Sequence, residues 1–143
     1  MSSKLEKYFV PYEESMELKR LGFKEECLFT YSSNTKELGV TLPTSANNLA
    51  INIQDFNTLY PGVELCSAPL FSQAFNFFRD KYNLDAHVRM FNKRYSERCY
   101  WKISDFNSEG ILGYSDFAEN HQQAEIDCLN KLISIVKNEY KNT

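Results

Sequence analysis

SAPLFSQAFNFFRDKYNL, residues 67–84, decides the architecture of the chain. Phe71, Ala74, Phe75, Phe78 and Tyr82 recur at i, i+3, i+4, i+7 and i+11, which places them on one stripe of an α-helix. A ring-rich stripe of that width has to be buried, and helical spacing of this kind marks core rather than a ligand box. Ser67 can cap the helix, and Pro69 is tolerated in its first turn, where the missing amide proton leaves no helical bond unmade. Asn83 tolerates the left-handed conformation that closes a helix, and Leu84 supplies the apolar contact beyond it.

Downstream, three strand-like runs follow: HVRMF (87–91), CYWKIS (99–104) and ILGYSDF (111–117), split by NKRYSE and by the turn FNSEG. Alternation puts Val88 and Met90 on one face of the first and Cys99, Trp101 and Ile103 on one face of the second, the expected core faces. A last helix begins after Asn120, with Gln123 three residues on as in a capping box. Its Ala124, Cys128, Leu132, Ile135 and Val136 line one side beside Leu129 and Ile133. The order from residue 67 is therefore helix, three antiparallel strands, helix. Both apolar stripes turn to the same side of the meander, which predicts an α+β fold, an antiparallel sheet with helices packed on one face.

Upstream, residues 12–21 predict a helix entered after Pro11 and closed by Gly22, with Phe23 placed to meet Leu18 as in a Schellman cap. CLFTY (27–31) is rich in strand formers, Ser32-Ser33-Asn34-Thr35 reads as a turn, and a returning strand runs through Leu38, Val40 and Leu42. From 43 to 67 the pattern weakens: NLAINI alternates like a strand, whereas TSANN and LYPG have the composition of exposed loops. A connection of that length marks an insertion or a partner-binding loop, and an open strand edge there can pair with a second copy to give a homodimer. The chain reads as a single domain over 1–143, in which 1–66 supplies the N-terminal helix, hairpin and loop-rich part and 67–143 the α-β-β-β-α part.

Composition is that of a folding chain, with 43% hydrophobic and 15% aromatic residues and only 5 Gly and 4 Pro. No charged segment precedes a long apolar run near Met1, so neither a secretory signal nor a membrane span is expected, and the expected location is the cytoplasm. Cys27, Cys66, Cys99 and Cys128 form no C-x-x-C pair and lie far from any histidine at zinc-ligand spacing. They read as buried reduced thiols, and no metal site is expected. With 2 His, no G-x-S-x-G, no H-E-x-x-H and no glycine-rich phosphate loop, the chain offers no catalytic residues and implies no cofactor. His87 falls on the face opposite Val88 and His121 in the first turn of the last helix, and Asp80, Asp85, Asp105, Asp116 and Asp127 show no paired spacing.

The helix-strand-strand-strand-helix order resembles the double-stranded RNA-binding domain. That family grips phosphates at a Gly- and Lys-rich entry to its last helix; here the position reads FAENHQQAEID, whose Glu119, Glu125 and Asp127 repel phosphate, so the resemblance implies topology alone. A second resemblance covers about half of the residues. YEESMELKRLGF, APLFSQAFNFFRDKYNL and HQQAEIDCLNKLISIVK, in that order, look like a family of short uncharacterised proteins of bacteriophages and prophages of gut-type bacteria. The family brings no assigned activity; it implies a shared fold, a viral context and a small noncatalytic binder of host molecules in the host cytoplasm.

One stretch suggests a contact surface. VRMFNKRYSERCYWK (88–102) holds five cations and one anion in a chain of net charge −3, so removing its +4 leaves −7 on the remainder. With Val88, Met90, Cys99, Trp101 and Ile103 inward, alternation turns Arg89, Arg98, Tyr100 and Lys102 outward and leaves Lys93, Arg94 and Tyr95 at the tip. A polarised surface steers acidic partners, a guanidinium forks around phosphate or carboxylate oxygens, and an aromatic ring stacks. The chemistry expected is noncatalytic binding of a host protein or acidic small ligand, with nucleic acid or a nucleotide as the alternative and an enzyme with a dispersed site as a third. Against all three stands the plain role of Lys and Arg on an edge strand, which is to keep sheets from aggregating.

Overall fold

The computed structural model describes residues 6–32, 34–39, 55–59, 65–91, 98–107, 110–114, 118 and 120–141. Helix α1 (Tyr12–Arg20) follows an extended Pro11 and carries Glu13 and Glu14 in its first turn and Lys19 and Arg20 in its last, each sign at the helix end that favours it. It closes as the sequence predicts. Gly22 adopts φ 93°, its N–H donates to the Lys19 carbonyl at 3.1 Å, and the Phe23 N–H donates to the Leu18 carbonyl at 2.9 Å. These are the two bonds of a Schellman motif, and Leu18 and Phe23 are both buried.

Strands β1 (Phe29–Ser32), β2 (Leu38–Gly39) and β3 (Leu65–Ala68) form an antiparallel sheet in the order β2-β1-β3. Tyr31 stands opposite Leu38 on one side and Cys66 on the other. The expected hairpin is thus present and gains a third strand. Val40, Leu42 and NLAINI lie outside the described residues. A short helix, α2 (Phe56–Leu59), packs on β3, and its N-terminus is held by Asp55, which accepts the Thr58 N–H at 3.2 Å and also the Thr58 hydroxyl. Phe9, Met16, Tyr31, Leu38, Cys66 and Ala68 make the core of this unit, which spans Met1–Gln73.

Helix α3 (Phe71–Tyr82) starts later than its predicted cap. Ser67 lies inside β3, opposite Thr30, and is fully buried, so pairing with β1 overrides its capping propensity. Gln73 serves instead: its Oε1 accepts the Leu70 N–H at 3.0 Å, the reach-back half of a capping box. The second compact unit, Ala74–Thr143, begins within this helix. Ala74 and Phe78 are buried and Phe75 and Tyr82 half-buried, as their stripe requires. Phe77, outside the stripe, is buried too, edge-on to Phe78 at 5.3 Å and to Tyr82 at 5.8 Å.

Asn83 takes φ 56° and hands the helix directly to β4 (Leu84–Phe91). Leu84 is therefore the first strand residue, opposite Asp105, rather than a contact beyond the cap. Asp85 and Ala86 are weak strand formers, so their strand conformation comes from pairing with β5 (Arg98–Asp105). Strand β6 (Gly110–Tyr114) completes a second antiparallel sheet in the order β4-β5-β6. Helix α4 (His121–Lys141) packs across β4 and β5 with Ala124, Cys128, Leu129, Leu132, Ile133 and Val136 buried and Ile135 half-buried. Its N-cap is Asn120, whose Oδ1 accepts the Gln123 N–H at 2.8 Å; the Gln123 amide donates forward to Asp127 at 2.9 Å. The protein is an α+β fold; its described residues form two antiparallel three-stranded sheets, and no helix among them is long and apolar enough to cross a membrane.

Candidate functional site

Register fixes which side chains share a surface of the C-terminal sheet. Val88 pairs with Trp101, Met90 with Cys99 and Ala86 with Ile103, so these six lie on the face beneath α4. Trp101 is only 8% exposed there, and Cys99, Ile103, Leu84 and Ala86 are buried. Gly113, opposite Ile103, faces the indole: a Cβ on it would make ordinary van der Waals contact, 3.4 Å from the Trp101 ring and 3.5 Å from Lys131 Cε. Met90 departs from its row, 46% exposed although it shares the core side of the strand.

On the opposite face, Arg89 stands directly across from Tyr100 and His87 across from Lys102, while the β6 position opposite Lys102 is Tyr114. Arg89 is exposed; Tyr100, Lys102 and His87 are half-buried. The backbone of Arg98 lies opposite Phe91 on this same face. Its side chain, and Lys93, Arg94 and Tyr95 altogether, lie outside the described residues. Among the described residues, ion pairs engage Arg20, Lys36 and Arg79, and His87 and His121 each stand beside a carboxylate, whereas Arg89 and Lys102 have none.

Asp85 closes the helix-proximal end of the face. It accepts Arg79 Nε at 3.2 Å and lies 3.8 Å from His87 Nδ1, beyond hydrogen-bond reach. The surface is thus graded, neutralised at Asp85 and cationic toward Arg89 and Lys102. The sequence reading missed this gradient because it began the strand at residue 87. The second histidine sits apart, at the start of α4, with Nδ1 3.1 Å from Glu125 Oε1. Burial raises the Glu125 carboxyl above the usual carboxylate range, and the neighbouring His121 works against that shift. No three metal-ligating side chains converge among the described residues.

The cysteines are free and buried, and burial makes three of them poor nucleophiles: it pushes Cys27 and Cys128 up to about 12 and Cys66 up to about 11. Lys19, on the buried side of α1, reaches the Leu65 carbonyl, and burial lowers its pKa. Asn57 is the polar residue that pattern reading had no means to find. Buried in α2, it donates to the Phe23 carbonyl at 2.8 Å and accepts the Ser67 N–H at 2.9 Å, tying the end of α1 to β3. In comparisons with known proteins, no family model, no curated protein and no solved structure matches the chain.

Proposed function

We propose that the chain is a noncatalytic binding module whose outer β4–β5 face engages an acidic surface on a partner protein. One observation carries this reading. The Arg89–Tyr100 rung and the adjoining Lys102 place an exposed guanidinium, a phenol and an ammonium on one rigid pleated surface, with no carboxylate paired to either cation among the described residues. Held side by side on strands, these groups need little ordering on binding, which favours use of a surface for recognition. The acidic balance of the rest of the chain favours a protein partner over a nucleic acid, because a remainder of net charge −7 disfavours the approach of a long polyanion. The resemblance to phage and prophage proteins supports a host protein, met in the host cytoplasm, as the source of that surface.

The test is capture from host lysate, with nuclease and without, by the wild-type chain and by a variant carrying Tyr100→Ala and Lys102→Glu. The expected result is an acidic protein retained by the wild type, lost by the variant and indifferent to nuclease. Equal capture by both chains would remove the face from consideration. Nuclease-sensitive capture that weakens steeply with salt would transfer the assignment to nucleic acid.

A further inference from the structure

The two edges of the C-terminal sheet, β4 and β6, are built differently. β6 has five residues, two of them glycine, and its register slips between Ile103 and Ser104 so that Leu112 is left as an extra residue. Shortness and a bulge are devices that keep an edge from recruiting another strand. β4 has neither: it runs eight residues without Gly or Pro, in unbroken register with β5. Among the described residues its other side meets no strand. Charge is its one protection, and the charges are balanced, with Asp85 and Arg89 on the same face and His87 midway between them.

That spacing is complementary to itself. A two-fold axis through His87, perpendicular to the sheet, sets Asp85 of each copy opposite Arg89 of the other. On the core side it sets Met90 opposite Leu84 and Val88 opposite Ala86. Centring the axis one residue earlier would face Asp85 with His87 and Arg89 with Asn83; one residue later, Arg89 would meet His87. Only the His87-centred register forms both carboxylate–guanidinium pairs, and it uses nearly the whole strand. We infer that two copies of the chain associate through antiparallel β4–β4 pairing in this register, fusing their C-terminal sheets into one of six strands. The pairing accounts for two features at once. It gives Arg89 a carboxylate and covers Met90, the apolar side chain that breaks the burial of its row. Asp85, already 3.2 Å from Arg79, then sits between two guanidinium groups. Pairing takes Arg89 out of the partner-binding face and leaves Tyr100 and Lys102, one strand further in, as the groups that face offers, so the dimer is tested independently of the proposed partner-binding role.

Sedimentation velocity of the full chain over a concentration series is the measurement. Wild type is expected to move from one chain mass to two. Arg89→Asp or Asp85→Arg alone replaces two attractions with two repulsions and should weaken the dimer about tenfold or more. Arg89→Gln, which only removes charge, should weaken it less. An equimolar mixture of the Arg89→Asp and Asp85→Arg chains restores both pairs in a heterodimer, which should form about as tightly as the wild-type homodimer. Circular dichroism and Trp101 emission verify that each variant is folded. A wild type that stays at one chain mass, single variants that dimerise like wild type, or a mixture that fails to recover association would each overturn the inference.

Discussion

The N-terminal sheet is built from strands of four, two and four residues, the C-terminal sheet from strands of eight, eight and five, and the two are secured by different means. Around the short strands, polar side chains bind backbone. Asn57 joins Phe23 to Ser67, Tyr31 and Ser15 both donate to the Val10 carbonyl at 2.8 and 3.1 Å, and Gln73 links Leu70 to Glu26. Around the long strands, the apolar stripe of α4 lies across β4 and β5, and the buried side chains among the described residues there are almost wholly hydrocarbon and sulfur. The contrast follows from area. A strand of four residues presents two side chains to a core, too few to fix its register by packing, so directional bonds take over that task.

Three perturbations probe the contrast, in order of expected size. Truncating Leu132, fully buried on α4, to Ala should cost about 2–5 kcal/mol and be visible in urea unfolding followed through Trp101, the sole tryptophan, which reports the C-terminal unit. A cost under about 1 kcal/mol would mean that packing does not dominate there. Asn57→Ala strands one buried acceptor and one buried donor, and should cost about 1–3 kcal/mol. Amide exchange should then quicken at Ser67 and through β3, and unchanged protection would contradict the polar clamp. The smallest effect is electrostatic, changes nothing at neutral pH and is common to both units. An unfolded thiol ionises near 9.0, whereas Cys27, Cys66 and Cys128 hold their protons to about 12, 11 and 12. The folded state binds more protons across that window, so this contribution to stability is whole below pH 9 and declines as pH rises through it. Disulfide-exchange labelling near neutral pH should reach these thiols only after unfolding; rapid labelling of Cys27 or Cys66 would show that the N-terminal sheet opens readily.

The same contrast governs what could be read from residue order. The stripes of α3 and α4 were legible because burial repeats with the helical period over many residues, and the close of α1 because only glycine enters a φ of 93° at little cost. The division of β4–β5 into an oily and a charged face was legible from strict alternation, which put Arg89, Tyr100 and Lys102 together; Lys93, Arg94, Tyr95 and the Arg98 side chain fall outside the described residues. What escaped lacks periodicity. β3 is too short to show alternation and hides a serine suited to capping, α2 spans a single turn, and Asn57 is buried for the sake of two backbone groups distant in sequence. Asp85 escaped because its strand conformation is imposed by a partner strand rather than by its own preference.

Asn83 alone separates α3 from β4, and both of its backbone groups are occupied, the N–H by the Arg79 carbonyl and the C=O by the Phe106 N–H, each at 3.1 Å. Such a joint has no slack. An inserted or deleted residue at this point would turn β4 over, sending His87 and Arg89 beneath α4 and Ala86 and Val88 into water. Loops elsewhere can lengthen as the sequence drifts, but here chain length itself is the information that tells the strand which side is wet.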